Sequence, residues 1–249
     1  MLRTPIAVFL LALSGTCGLQ AASYTIGVED IDYLPTFGIR DNNYTGFARE
    51  LLDTFAKDSG HVFTYKPLPI KRLLGAMLAG DVDAKFPDNA KWAPDVRKGA
   101  AVNYSAGALE FIDGVMVKPD NKGKPIEQLK TIATVRGFTA WPLMDRISAK
   151  TLSISEQGDY PTMIEFVIRG RADGAYGSIV SAQAELKKRK AGASPELVYD
   201  PSLPFSRDFY CLSSVKQPKL ISEFDAWMVA KAEVIQQMKI QYAVLVDKP

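Results

Sequence analysis

Residues 73–86 read LLGAMLAGDVDAKF, and residues 163–176 read MIEFVIRGRADGAY. Each is an apolar run at helical spacing, then a glycine, two residues, an aspartate and a short strand-like run. Gly80 and Gly170 suit helix stops, because glycine enters the left-handed conformation without steric cost. The unit helix–Gly–x–x–Asp–strand therefore occurs once in each half of the chain. Two similarly built α/β lobes are expected from it.

The flanking sequence extends the pattern. Residues 24–29 (YTIGVE) alternate like a strand, and residues 47–58 carry apolar side chains at 47, 48, 51, 52, 55 and 56, a helical spacing that stops at Gly60. Residues 61–67 (HVFTYKP) are β-branched and aromatic, 70–79 form a short helix and 82–86 a third strand. The order β-α-β-α-β implies parallel strands with crossover helices. In the second half, strands are expected at 130–136, 151–155 and 172–176. Helices are expected at 141–149 and at 161–169, where Pro161 opens and Gly170 closes the run. A strand at 209–215 precedes a mostly helical stretch, 218–246.

Composition narrows the chemistry. The 249 residues are 47% hydrophobic and 23% charged, which supports a packed core and excludes disordered or collagen-like chains. The formal charge of +2 gives no reason to expect a nucleic acid or an anionic membrane as partner. With one histidine, His61, and two cysteines, Cys17 and Cys211, a histidine dyad, a His-rich zinc site or a Cys₄ cluster has no material. No metal and no cofactor is expected.

The first residues read as an export leader, residues 1–22. Arg3 precedes a short apolar run (PIAVFLLAL, 5–13), and small residues follow up to Ala21 and Ala22. The run is far shorter than the roughly 20 residues of a membrane-spanning helix. Cleavage near Ala21 or Ala22 removes Cys17 and leaves Cys211 alone. The expectation is an exported, periplasmic monomer without an internal disulfide.

An ordered series of motifs then points to a family: YLPTF (33–37), Gly46–Phe47 opening a helix, PIKRLL (69–74), GDVD (80–83), VNYS (102–105), GRAD (170–173) and the 209–215 strand. The chain resembles the type II periplasmic solute-binding proteins, in the amino-acid-binding (family 3) class of ABC-transporter substrate-binding proteins. The resemblance covers about residues 24–249. It implies a two-lobed fold joined by two hinge crossings, near 107–111 and 202–209, that closes on a small ligand. Lobe 1 would take residues 23–108, lobe 2 residues 109–205, and residues 206–249 would return to lobe 1. An inner-membrane permease or a sensor is the implied protein partner.

In open α/β sheets ligands bind beyond the C-terminal ends of the strands. Glu29 and the aromatics Tyr33 and Phe37 follow the first strand, and the two rings resemble the family's ligand-stacking aromatics. Asp88 and Asn89 follow the third strand, where turn chemistry alone also accounts for them. Trp92 and Trp141 come from opposite lobes and could sandwich a ligand or pack in their own lobes. The resemblance casts Arg97 as the clamp for a ligand carboxylate, a task suited to a bidentate guanidinium, although the spacing to Ser105 is longer than usual. The turn carrying Gly137, Phe138, Thr139 and Ala140 matches an anion-binding turn. Tyr176, Gly177 and Ser178 end the last lobe-two strand. Many amino-acid binders carry an acid near Ser178 to hold the ligand ammonium, and this chain has none following Gly177. Unless Glu29, Asp30 or Asp88 takes that role, the expected ligand is a small polar or carboxylate-bearing compound.

Four functions fit the resemblance: a transport receptor, a sensing module without a permease, a dehydratase-like enzyme on the same fold, and a structural protein that lost its ligand. Binding is favoured over catalysis because no nucleophile–base pair is visible. Cys211 reads as a buried inert thiol, His61 as a strand-opening residue of no special role, and the cations of 187–190 as a helix C-terminus.

Overall fold

The computed structural model describes residues 21–189 and 195–246. The export leader, Cys17 and Lys190 lie outside the described residues, apart from Ala21 and Ala22 at the expected cut.

The first half builds a parallel sheet. Strand β1 (Ser23–Glu29) is followed by the hairpin β2 (Gly38–Arg40) and β3 (Asn43–Thr45), then helix α1 (Phe47–Ser59) and strand β4 (Val62–Leu68). Helix α2 (Ile70–Ala79), strand β5 (Ala84–Asp88), the short helix α3 (Pro94–Arg97) and β6 (Asn103–Tyr104) complete it. β1 lies between β4 and β5 and is parallel to both. Strand β7 (Leu109–Val117) then leads into the second half: β8 (Thr131–Val135), α4 (Met144–Ser148), β9 (Ser153–Gln157), α5 (Tyr160–Ile168), β10 (Gly174–Ser178), α6 (Ile179–Lys188) and β11 (Val198–Tyr199). Here β8 lies between β9 and β10, again parallel to both. Strand β12 (Ser206–Ser214) and helices α7 (Pro218–Ala230) and α8 (Ala232–Gln241) follow.

The repeated Gly-x-x-Asp unit does the same work in each half. Gly80 and Gly170 sit at φ 87° and 71°, ending the turn that leaves α2 and α5. The Asp83 carboxylate accepts the Thr25 amide at 2.7 Å, and its own amide donates to the Thr25 carbonyl at 2.9 Å. Asp173 accepts the amides of Lys130 and Thr131, each at 2.8 Å. Each aspartate thus satisfies donors at the start of the neighbouring central strand. This moves two boundaries: β5 and β10 begin two residues later than expected, because 82–83 and 172–173 serve the turn rather than the ladder.

The two halves share one sheet, in the order β4-β1-β5-β12-β7-β10-β8-β9. Antiparallel β7 and β12 are the two crossings, and each changes partner midway. β12 pairs with β7 through 206–210, then with β5 and β6 through 211–214. β7 pairs with β12 through 109–113, then with β10 through 113–117. The hand-over points are Asp113 and Tyr210, a few residues further along β7 than the sequence suggested, since the apolar run 109–117 continues as one strand.

The tail packs back on the first half. Phe55 of α1 meets Phe224 and Trp227 of α7 at ring separations of 5.0 and 5.5 Å, and all three are buried. Each such ring contributes roughly 1.5–3 kcal/mol by leaving water. Trp227 also donates to Asp58 at 2.9 Å. His61 is more engaged than expected: its buried ring lies 3.1 Å from a Glu223 carboxylate oxygen and ties α7 to the start of β4. Cys211 is only part-buried, and burial is the main cause that pushes its thiol up to about 11, which lowers its thiolate fraction at neutral pH.

Candidate functional site

A cleft of about 310 Å³ opens where β1 ends, where the crossing strands change partners and where the 137–141 turn approaches from the second half. Its lining is mostly apolar and aromatic. From the first half come Glu29, Tyr33, Phe37 and Trp92; from the second come Phe138, Thr139 and Trp141. Seven of the side chains expected at strand ends thus line one cleft.

Ring contacts make the wall continuous across both halves. Tyr33 stacks on Phe37 at 5.2 Å, meets Tyr160 edge-on at 5.1 Å and Phe138 at 5.9 Å. Phe37 touches Tyr210 at 6.0 Å, and Tyr210 stacks on Phe111 at 4.5 Å beside Trp92. The Ser181 hydroxyl of α6 donates to the Tyr33 carbonyl at 3.0 Å, a direct bond between the halves. Tyr33 is consequently only 1% exposed, so it is a packed wall and not a free stacking ring. Trp141, 44% exposed, is the ring left open to solvent at the mouth.

Six expected site residues sit outside the lining. Asp88 is buried in an ion pair with Lys85 at 2.7 Å and accepts the Ser213 hydroxyl at 2.6 Å, which joins β5 to β12. Asn89 donates to the Phe209 carbonyl at 3.0 Å and accepts the Lys91 amide at 2.9 Å, so its amide group is consumed by the loop. Arg97 corrects the carboxylate-clamp expectation most clearly. Left-handed turns at Ala93 and Lys98 bracket its single-turn helix and swing the guanidinium back. It donates to the Trp92 carbonyl, to the Asn89 carbonyl at 3.4 Å and to the Tyr104 hydroxyl at 2.5 Å. It braces the Trp92 loop from behind.

The end of β10 is equally occupied. Tyr176 is buried against Phe138 at 5.9 Å. A side chain at Gly177 would lie 2.6 Å from the Tyr160 hydroxyl, which accepts the Ser178 amide at 2.7 Å. The Ser178 hydroxyl caps α6 by accepting the Ser181 amide at 3.4 Å.

Two lining residues were missed from the sequence, Asp113 and Tyr210, both at the partner changes of the crossing strands. A lone acid inside the apolar run FIDGVMV (111–117) was the available signal. Asp113 stands opposite Ser178 in one ladder and opposite Ser206 in the other. It is 5% exposed, and among the described residues its Oδ1 has no hydrogen-bond partner. Burial, reinforced by the charge of Glu29, pushes its carboxyl from the ordinary 3.8 up to about 8. Glu29 is 7% exposed and raised to about 7, chiefly by burial, with Lys85 pulling it down and Asp88 pushing it up. Lys85 itself is held by the Pro87 carbonyl at 2.6 Å and by Asp88, beneath the Trp92 ring at 5.3 Å. Among the described residues, exposed Lys71 on the rim is the one cation in the lining.

No protein-family model matches the chain, and no curated protein matches its sequence. Solved structures do. A mutant of ArgBP from T. maritima matches with a TM-score of 0.70 at 18% identity, covering 89% of this chain and 95% of that one. A histidine kinase sensor domain with similarity to periplasmic binding proteins gives 0.71 at 15% identity, over 91% and 98% of the two chains. An ancestral amino acid-binding protein, a precursor of cyclohexadienyl dehydratase, gives 0.68 at 20% identity, over 88% and 95%. The fold is that of the two-lobed periplasmic binding proteins. In this two-lobed fold the crossing strands β7 and β12 form the floor between the lobes. The aromatic cleft lies on that floor, with walls from both sides.

Proposed function

We propose that the chain is a solute-binding protein that captures a small molecule between its lobes, in the periplasm, and presents the closed form to an inner-membrane permease or a sensor. Lobe 1 takes residues 23–108 and 206–249, lobe 2 residues 109–205, and the protein acts as a monomer. The observation that carries this reading is the cleft itself, a space of about 310 Å³ walled from both lobes and floored by the crossings. Among the described residues the lining holds no nucleophile beside a base, and no cluster of three or more potential metal ligands occurs. No described helix is long and apolar enough to cross a membrane. A thermal-shift screen of small solutes tests the reading. Ligand at 100 times its dissociation constant adds about 2.7 kcal/mol, a readily measured shift, and a screen without any saturable shift would count against binding.

A second reading is catalysis on the same scaffold, favoured by one observation: two buried carboxyls, Glu29 and Asp113, line the same cleft, and burial raises both toward the range that suits a general acid. Following a bound compound by mass over time separates the two. Binding leaves it unchanged; an eliminase shortens it by water.

A further inference from the structure

We propose that the cleft selects an organic cation, with an ammonium, amidinium or guanidinium group seated between Glu29 and Asp113 against the aromatic wall. The inference rests on the binding reading and names the chemical class of its ligand.

The two acids of the cleft have no ion-pair partner among the described residues, and the one cation in the lining, Lys71, is exposed on the rim. Asp113 is nine-tenths buried, lines the cavity, and offers an oxygen that no described donor reaches. A buried carboxylate in that condition is unfavourable unless it is neutral or meets a cation. The cations buried or half-buried behind the cleft are committed elsewhere. Lys85 is bonded to Asp88 and the Pro87 carbonyl, and Arg97 to the Trp92 and Asn89 carbonyls and to Tyr104. Neither can swing into the cleft without leaving a buried acceptor unpaired.

The remaining lining fits the same occupant. Trp92, Tyr210 and Phe37 bring aromatic rings to the cavity, whose negative faces attract cations, most strongly where water is excluded. An anionic head would face two acids instead, and the guanidinium that could have received a carboxylate points out of the cleft. Asp113 lies directly across the ladder from Ser178, so the sheet supplies from the neighbouring strand the acid that β10 lacks.

Matched probes test this by calorimetry at pH 8: agmatine, phenethylamine and choline as cations, arginine as a cation with a carboxylate, and glutamate, phenylacetate and 1,4-butanediol as anionic or neutral counterparts. At least one cation should bind. Asp113→Asn should weaken it tenfold or more, Glu29→Gln should weaken it measurably, and agmatine should match or exceed arginine. Asp113→Asn replaces a buried carboxyl by a neutral group of the same shape, so it should fold, and Glu29→Gln gives an independent readout. Binding of only neutral or anionic probes, or cation binding that neither variant weakens, overturns the charge class while leaving a binding protein. If no probe binds and the purified protein carries no small molecule, the binding reading fails and this inference falls with it.

Discussion

Asp113→Asn should stabilise the ligand-free protein, by a margin that grows as pH rises from about 4 to 8. The wild-type carboxyl titrates at about 8 in the folded protein against an ordinary value of 3.8. Between those values the folded state keeps a proton that the unfolded chain has released. Stability then falls as pH rises, by about 1.4 kcal/mol per unit for one proton. From pH 4 to pH 7 the slope amounts to roughly 4 kcal/mol, and a carboxamide does not titrate. Glu29, raised to about 7, adds its own slope to both proteins, and because its charge is one cause of the Asp113 shift, the difference between them reports Asp113 together with that mutual repulsion. The surrounding phenols, Tyr33, Tyr160, Tyr176 and Tyr210, are themselves pushed above their ordinary range by burial and stay neutral throughout. Lys85 and Asp88 form a buried ion pair that acts on Glu29 in opposite senses. Urea unfolding followed by tryptophan fluorescence at pH 4.5 and pH 8 provides the assay. The margin of the variant over the wild type should be small at the lower pH and larger by about 4 kcal/mol at the higher, with the same dependence on denaturant. An equal difference at both pH values would refute the buried, unpaired state of Asp113.

Other consequences follow from the same geometry. Affinity for a cation should rise with pH between 6 and 8, by up to about tenfold per unit for each carboxyl still protonated and so more steeply below pH 7 than above it, and should level off above pH 8; calorimetry across the range reads it. Gly177→Ala should cost about 1–3 kcal/mol in chemical denaturation, since the added methyl would stand 2.6 Å from the Tyr160 hydroxyl. Asp83→Ala and Asp173→Ala should each cost about 1–3 kcal/mol, because each strands a strand-opening amide. Trp141→Ala should leave the unliganded melting temperature nearly unchanged, given its 44% exposure, yet weaken ligand binding.

The architecture was legible in the sequence because its signals are local. Helical spacing, glycine stops and the Gly-x-x-Asp unit each act within a few residues, and both halves show them. Strand starts slipped at β5 and β10 because Asp83 and Asp173 bond sideways to another strand, an event without local mark. Part of the cleft was legible for a topological reason: Glu29, Tyr33, Phe37 and the 138–141 turn follow strand ends, and strand ends in such sheets face the ligand. Asp113 and Tyr210 lie instead where β7 and β12 exchange partners. Their position depends on pairings some hundred residues apart, such as Ser206 with Asp113. Arg97 misled for the opposite reason. Its neighbourhood matched a family pattern, but the left-handed turns at Ala93 and Lys98 aim its side chain at backbone carbonyls.

Native mass spectrometry of the protein, purified without denaturant and sprayed at pH 8, tests the central claim most directly. The account predicts a fraction of molecules heavier by one small compound, lost on unfolding, and diminished in Asp113→Asn. A spectrum showing the bare chain alone, unchanged after incubation with every cationic and neutral probe, would contradict it.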